Sequence, residues 1–178
     1  PVPTAHPIAI LAGVLDSARY AHFVADELKG LPRDVQAMVL GGHGDEMVPL
    51  EQHSALRGKP LTELLDAASI ERIHERTRQG GAEIVKLLGT GSAFYAPSSS
   101  VVRMLDVIVQ DKGEVLPACV YVDGPYGIQD IYCGVPARLG RSGVREVVEL
   151  TLTPPQRQAL QVSAEHVRQL GTTVLGWG

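Results

Sequence analysis

Residues 115–150 read VLPACVYVDGPYGIQDIYCGVPARLGRSGVREVVEL, and this stretch decides the fold class. Apolar runs at residues 115–122, 131–139 and 144–150 predict three β-strands, because each run is bounded by glycine and other turn-forming residues. The links between the runs are short, whereas parallel strands need a long crossover connection. The stretch therefore predicts an antiparallel sheet.

Outside this stretch, apolar residues at helical spacing predict four helices. They cover residues 15–28, 70–88, 98–109 and 154–170, with Ser69 and Thr153 as candidate N-caps. Gly80-Gly81 lies inside the second helix and is expected to bend or weaken it. Residues 35–40 are almost continuously apolar and predict a short buried strand. These elements predict an α+β fold, a single domain with helices packed on an antiparallel sheet.

The composition is that of a soluble globular protein and excludes several function classes. The chain has 178 residues, of which 44% are apolar, and the predicted domain covers residues 13–172, between a lead-in (1–12) and a tail (173–178). A net charge of −4 without a basic stripe argues against a nucleic-acid partner. The longest apolar run, residues 7–15, is too short for the ~20 residues of a membrane helix. Cys119 and Cys133 are far apart, which predicts reduced thiols in a cytoplasmic protein.

The segment GGHGD, residues 41–45, follows the predicted buried strand. Glycines on both sides of a histidine let the backbone turn sharply and let a ligand come close. The imidazole of His43 would then lie at the end of a strand, where it can titrate near neutral pH. From the spacing alone two interpretations stay open: a polar turn that contains a histidine, or a proton-transfer residue.

Asp16 and Arg19 open the first predicted helix and share one face of it, because they are three residues apart. A carboxylate there could orient a histidine, and a guanidinium could hold a substrate carboxylate through two parallel hydrogen bonds. The alternative is a local ion pair of little energetic value.

Other site types have weaker support in the sequence. His43, Asp45, Glu46 and His53 are close in sequence, so a metal-dependent hydrolase is an alternative, although no H-E-x-x-H or paired Cys/His motif is present. The G-S-A segment at residues 91–93 lacks the G-x-S-x-G elbow of serine hydrolases. No glycine-rich stretch completes the G-x-G-x-x-G pattern, so the sequence predicts no Rossmann domain.

Four segments, taken in chain order, carry a family resemblance. They are GVLDSARY (13–20), GGHGDEMVPL (41–50), TGSAFYAPS (90–98) and DIYCGVP (130–136). Together they closely resemble the C-terminal, catalytic and substrate-binding domain of the lactate/malate dehydrogenase superfamily. The resemblance extends from about residue 13 to about residue 170. Gly42 before the histidine and the T-G-S segment favour the malate branch.

The resemblance implies a role for each matching residue. His43 is expected to act as general acid when oxaloacetate is reduced and as general base when malate is oxidised. Asp16 is expected to hydrogen-bond the other ring nitrogen of His43, and Arg19 to hold the substrate carboxylate. Gly91 and Ser92 are expected to line the substrate pocket. No metal is implied.

The resemblance also implies partners. NAD is the expected coenzyme, bound mostly by a separate N-terminal coenzyme-binding domain, and the malate/oxaloacetate pair is the expected substrate. The isolated chain is expected to lack appreciable dehydrogenase activity and to bind NAD weakly, and the complete enzyme is expected to be a homo-oligomer. Two alternatives stay open: a non-enzymatic dicarboxylate-binding or assembly module, and a fragment of a lactate dehydrogenase.

Overall fold

The structure, a computed structural model, describes residues 13–175, so the predicted lead-in lies outside the described residues. The α-helices are α1 (Val14–Glu27), α2 (Leu61–Leu64), α3 (Ala67–Leu88), α4 (Tyr95–Val109) and α5 (Pro154–Leu175). The strands are β1 (Val35–Gln36), β2 (Val39–Gly41), β3 (Met47–Pro49), β4 (Ala55–Leu56), β5 (Lys59–Pro60), β6 (Glu114–Val122), β7 (Ile131–Gly140) and β8 (Gly143–Val147). Helix α5 passes the domain boundary predicted at residue 172.

The predicted antiparallel sheet is confirmed. Strands β6, β7 and β8 pair in sequence order, with Glu114 opposite Leu139 and Val122 opposite Ile131. Within residues 13–175 the other two sheets, β1-β4-β5 and β2-β3, are also antiparallel. The α+β prediction therefore holds, although the helices pack on three antiparallel sheets where one was expected.

Strand β8 ends at Val147, earlier than the predicted end at residue 150. The reason is the buried hydroxyl of Tyr126, which donates to the carbonyl of Val148 at 2.9 Å and accepts from the amide of Leu150 at 2.8 Å. These backbone groups are therefore satisfied by a side chain, and the ladder does not continue.

The strand predicted over residues 35–40 is wrong as a single element. Val35–Gln36 pairs with β4, whereas Val39–Gly41 pairs with β3. Between them the backbone amide of Met38 donates to Ser54 Oγ at 3.2 Å. The chain thus changes its hydrogen-bonding partner halfway through the apolar run.

Helix α3 begins three residues before the predicted start. Its N-cap is Asp66, whose carboxylate accepts a 2.7 Å hydrogen bond from the amide of Ser69, so the prediction of Ser69 as cap is wrong. An aspartate is as good an N-cap as a serine, and here it lies one turn earlier. The helix is continuous through Gly80-Gly81. The predicted cap of α5 is supported by the 3.4 Å bond from the Gln156 amide to Thr153 Oγ1.

The β2–β3 hairpin lies between the two hydrophobic cores. Leu40 and Val48 pack in the core formed with the β6–β7–β8 sheet, α4 and α5, whereas Val39 and Met47 pack in the core formed with α1 and α3. A strand that is buried on both faces is apolar throughout, which explains the unbroken apolar pattern. The tip of this hairpin, residues 42–46, carries His43.

Candidate active site

The N-terminus of α1 fixes the carboxylate of Asp16. Asp16 is the third helical residue, and its Oδ2 lies 3.4 Å from the amide of Gly13, the N-cap. Gly13 has φ +82° and lies so close to Pro117 of β6 that an added Cβ would be 2.8 Å from it. Asp16 is 1% exposed. Its carboxylate is therefore buried in the first turn of α1, next to the backbone of Gly13.

The imidazole of His43 lies against this carboxylate. His43 Nδ1 is 2.9 Å from Asp16 Oδ1 and 3.2 Å from Asp16 Oδ2. An ionised carboxylate can only accept, so Nδ1 is the donor and Nε2 is left as the nitrogen that takes up or releases a proton. The His43 side chain is 51% exposed. Its proton-exchanging nitrogen can thus serve a ligand that enters from the surface.

The environment of His43 raises the pKa of its imidazole above the ordinary value. The hydrogen bond to Asp16 is the main cause, and the negative charge of Asp16 adds to it. Partial burial and the positive charge of Arg19 act in the opposite direction. The balance favours the imidazolium, the form that can donate a proton.

Two serine hydroxyls hold the hairpin that carries His43. Ser17 Oγ accepts from the amide of Val39 at 2.9 Å, which ties α1 to β2. Ser163 Oγ accepts from the amide of Gly42 at 2.7 Å, which ties the hairpin tip to α5. Sequence reasoning missed Ser163, because it lies 121 positions from Gly42 and has no motif of its own.

Arg19 lies on the same face of α1 as Asp16, as predicted from their spacing. Its Nη1 is 3.7 Å from Asp16 Oδ1, a distance too long for a hydrogen bond. The side chain is 9% exposed, and among the described residues its Nε has no hydrogen-bond partner. A buried guanidinium with an unused donor is suited to bind an anion.

Within residues 13–175, the T-G-S segment (residues 90–92) forms no hydrogen bond or ion pair with His43, Asp16 or Arg19. Gly91 and Ser92 are exposed and lie in the connection between α3 and α4. A cavity of about 390 Å³ beside Arg19 is lined on the α4 side by Ala96, Ser99 and Ser100. A role for Gly91 and Ser92 in substrate binding stays a prediction.

The candidate metal ligands have other partners. His53 Nε2 donates to the carbonyl of Thr151 at 2.7 Å, and Glu46 contacts the ring of His166. In the described part of the chain, no three His, Cys, Asp or Glu side chains form a cluster that could hold a metal ion.

No helix within residues 13–175 is both long and apolar enough to cross a membrane.

A family model matches residues 13–174, which contain all of these residues. It describes the lactate/malate dehydrogenase alpha/beta C-terminal domain. The chain belongs to this family. The resemblance found in the four sequence segments is thereby confirmed.

Relatives of this dehydrogenase domain are similar in sequence and in fold. The malate dehydrogenase of Trichormus variabilis is 55% identical over 159 residues, which are 89% of this chain and 49% of that protein. The structure of malate dehydrogenase from Salinibacter ruber matches with a TM-score of 0.86 and 45% identity, over 92% of this chain and 52% of that one. Lactate dehydrogenase from Eimeria maxima, solved with NADH and oxamate, matches with a TM-score of 0.87 and 36% identity, over 93% and 52%.

The chain spans about half the length of the curated relatives that it matches. Its own residues nevertheless bring together the histidine, aspartate and arginine that the resemblance singles out.

Proposed function

We propose that this chain is the catalytic, substrate-binding domain of an NAD-dependent malate dehydrogenase. The observation that carries the proposal is the arrangement of His43 and Arg19 around the buried carboxylate of Asp16. In this arrangement a candidate proton-transfer group and a candidate anion-binding group lie beside the same buried carboxylate. The interconversion of malate and oxaloacetate needs both.

His43 is the acid and base of the proposed reaction. Oxidation of malate removes a proton from the C2 hydroxyl, and His43 Nε2 accepts it; reduction of oxaloacetate returns it to the same oxygen. The hydrogen bond from Nδ1 to Asp16 fixes the tautomer and stabilises the imidazolium formed when the proton is accepted. Asp16 is a positioning residue in this scheme, because it acts through His43.

Arg19 holds the substrate carboxylate in the proposed complex. Its Nη1 and Nη2 groups offer parallel donors, the arrangement that a carboxylate accepts in a bidentate manner. The Eimeria maxima relative was solved with oxamate, itself a small carboxylate. Gly91 and Ser92 are assigned to the wall of the same pocket by the family resemblance alone.

The described residues lack the strand arrangement that usually holds a dinucleotide. NAD supplies the hydride chemistry in a dehydrogenase of this kind. A dinucleotide is usually held by a glycine-rich turn at the edge of a parallel sheet, and no parallel strand pair occurs within residues 13–175. The proposal therefore assigns most of the NAD site to a separate coenzyme-binding domain, and the residues identified in this chain act on the proton and the carboxylate.

The family resemblance also supports proposals about the oligomeric state, the cellular location and the substrates of the enzyme. We propose a homo-oligomer in the cytoplasm, with malate and oxaloacetate as substrates. Both cysteines are free thiols, and burial raises the pKa of Cys119 and raises that of Cys133 to about 12. Such thiols are poor nucleophiles and are expected to stay unreacted.

The test is a chimera in which residues 13–174 replace the matching segment of the Trichormus variabilis relative. We expect oxaloacetate-dependent oxidation of NADH that falls by roughly 10²–10⁴-fold in His43→Asn. His53→Asn, a histidine that does not line the cavity beside Arg19, is the matched control and should keep its rate.

Other outcomes separate the alternatives. A folded chimera whose rate does not depend on His43 would contradict the proposal. Faster turnover of pyruvate than of oxaloacetate would support the lactate dehydrogenase alternative. An inactive chimera, together with Arg19-dependent oxalate binding by the 178-residue chain, would support a dicarboxylate-binding module.

A further inference from the structure

Helix α3 contains two adjacent glycines in its second half, Gly80 and Gly81. Glycine is the least favourable residue in a helix interior apart from proline, because it loses the most backbone freedom. Neither glycine caps the helix, which continues to Leu88. The pair therefore needs a reason in the packing around it.

The side chain of Arg19 packs against both glycine positions. A Cβ added at Gly81 would lie 3.3 Å from Arg19 Nη2 and 3.4 Å from Nη1. A Cβ added at Gly80 would lie 3.4 Å from Arg19 Cδ and 3.4 Å from the ring of Phe23. The bare backbone of α3 thus lies along the side chain of Arg19 from Cδ to the guanidinium.

The guanidinium of Arg19 has few polar partners within the described residues. Arg19 is 9% exposed, its Nε has no hydrogen-bond partner among residues 13–175, and its nearest carboxylate contact is the 3.7 Å approach to Asp16. Hydrogen bonds therefore do not fix the group in its position. The guanidinium does pack against α3, and a methyl group added at Gly81 would force it to move by a few tenths of an ångström.

We propose that Gly81, assisted by Gly80, is a positioning residue that sets where the Arg19 guanidinium presents its donors to a substrate carboxylate. A bidentate contact needs both donors in line with both carboxylate oxygens, so a displacement of a few tenths of an ångström weakens it. The geometric part of the inference concerns this chain alone. Only the effect on a bound carboxylate rests on the proposed function.

The experiment uses the 178-residue chain and two measurements. The Nε–Hε signal of Arg19, assigned by its loss in Arg19→Lys, is followed by ¹⁵N NMR without ligand. The affinity for oxalate is measured by calorimetry on the same samples. The variants are Gly81→Ala and Gly80→Ala, and the matched control is Ala82→Gly, an exposed neighbour that changes helix propensity without adding a group beside Arg19.

We expect Gly81→Ala to shift the Arg19 signal and to weaken oxalate binding by roughly tenfold, since small misplacements of a binding group are costly. Gly80→Ala, with its longer approach, should have a smaller effect, and Ala82→Gly should change neither measurement. In the Arg19→Lys background Gly81→Ala should have no further effect on affinity.

The two measurements distinguish a failure of the Gly81 positioning role from a failure of the proposed function. If the wild-type chain binds oxalate and Gly81→Ala leaves both the Arg19 signal and the affinity unchanged, the positioning role is wrong and the proposed function stands. If the wild-type chain does not bind oxalate but Gly81→Ala still shifts the Arg19 signal, the positioning role stands and the carboxylate site is wrong.

Discussion

His43 Nδ1 lies 2.9 Å from Asp16 Oδ1, although the two residues are 27 positions apart in the chain. The contact joins the tip of the β2–β3 hairpin to the first turn of α1. It is buried on the Asp16 side and half-exposed on the His43 side. One carboxylate thus controls both the orientation and the charge of a histidine that faces the surface.

The pKa of His43 is expected to fall in Asp16→Asn, because the hydrogen bond to Asp16 is the largest cause of its elevation. An asparagine can still bond the ring but cannot stabilise the imidazolium by charge. NMR titration of the His43 ring in the 178-residue chain measures the change. Asp26→Asn, an exposed aspartate on the same helix, is the control. An unchanged His43 pKa in Asp16→Asn would contradict the assigned role of Asp16.

His74 is expected to lower the stability of the fold on acidification through the ordinary range of histidine, whereas the raised pKa of His43 acts in the opposite direction. Burial lowers the pKa of His74, and this effect outweighs the carboxylates of Glu51 and Glu71, which raise it. At pH values near and below the unfolded pKa of about 6.5, His74 binds more protons in the unfolded chain than in the native one. Its contribution to the free energy of unfolding therefore decreases as the pH is lowered.

Urea unfolding between pH 5 and pH 8, of the wild type and of His74→Gln, measures this effect. The glutamine can keep a hydrogen bond to the Tyr20 hydroxyl, which lies 3.2 Å from His74 Nε2, but it does not titrate. We expect a flatter pH dependence in His74→Gln and the wild-type slope in His22→Asn. Equal slopes in the wild type and His74→Gln would exclude His74 as the cause.

Ser163→Ala is expected to destabilise the chain by about 1–3 kcal/mol, because it removes the acceptor for the amide of Gly42. Ser163 is 1% exposed, so water cannot readily take its place. Chemical denaturation measures the loss, and Val162→Ala, at an exposed neighbouring position, is the control. If the two variants are equally stable, the bond does not hold the hairpin.

The 178-residue chain alone is expected to oxidise no NADH in the presence of oxaloacetate. Its described residues include the proposed proton donor and carboxylate anchor, whereas most of the NAD site is proposed to lie in a separate coenzyme-binding domain, and orientation of both reactants accounts for much of such catalysis. A spectrophotometric assay at high protein concentration measures this. Turnover that is lost in His43→Asn would show that the prediction is wrong.

The sequence by itself determined most of the local elements and the candidates for the reactive groups. Helical spacing placed Asp16 and Arg19 on one face of α1, and the run at residues 115–150 predicted the β6–β7–β8 sheet. Both rest on interactions between near neighbours in the chain, which periodicity reports directly. The order of the four family segments then identified the family and made His43 the candidate for proton transfer.

Only the tertiary structure decided how these groups meet. It divided the apolar run at residues 35–40 between two sheets, brought Ser163 to Gly42, and placed Arg19 against Gly81. The sequence predicted only that the Gly80-Gly81 pair bends or weakens its helix, whereas the packed structure shows a continuous helix whose missing side chains make room for a guanidinium. Such contacts join residues many positions apart, and their geometry depends on the packing of whole elements, which no local pattern encodes.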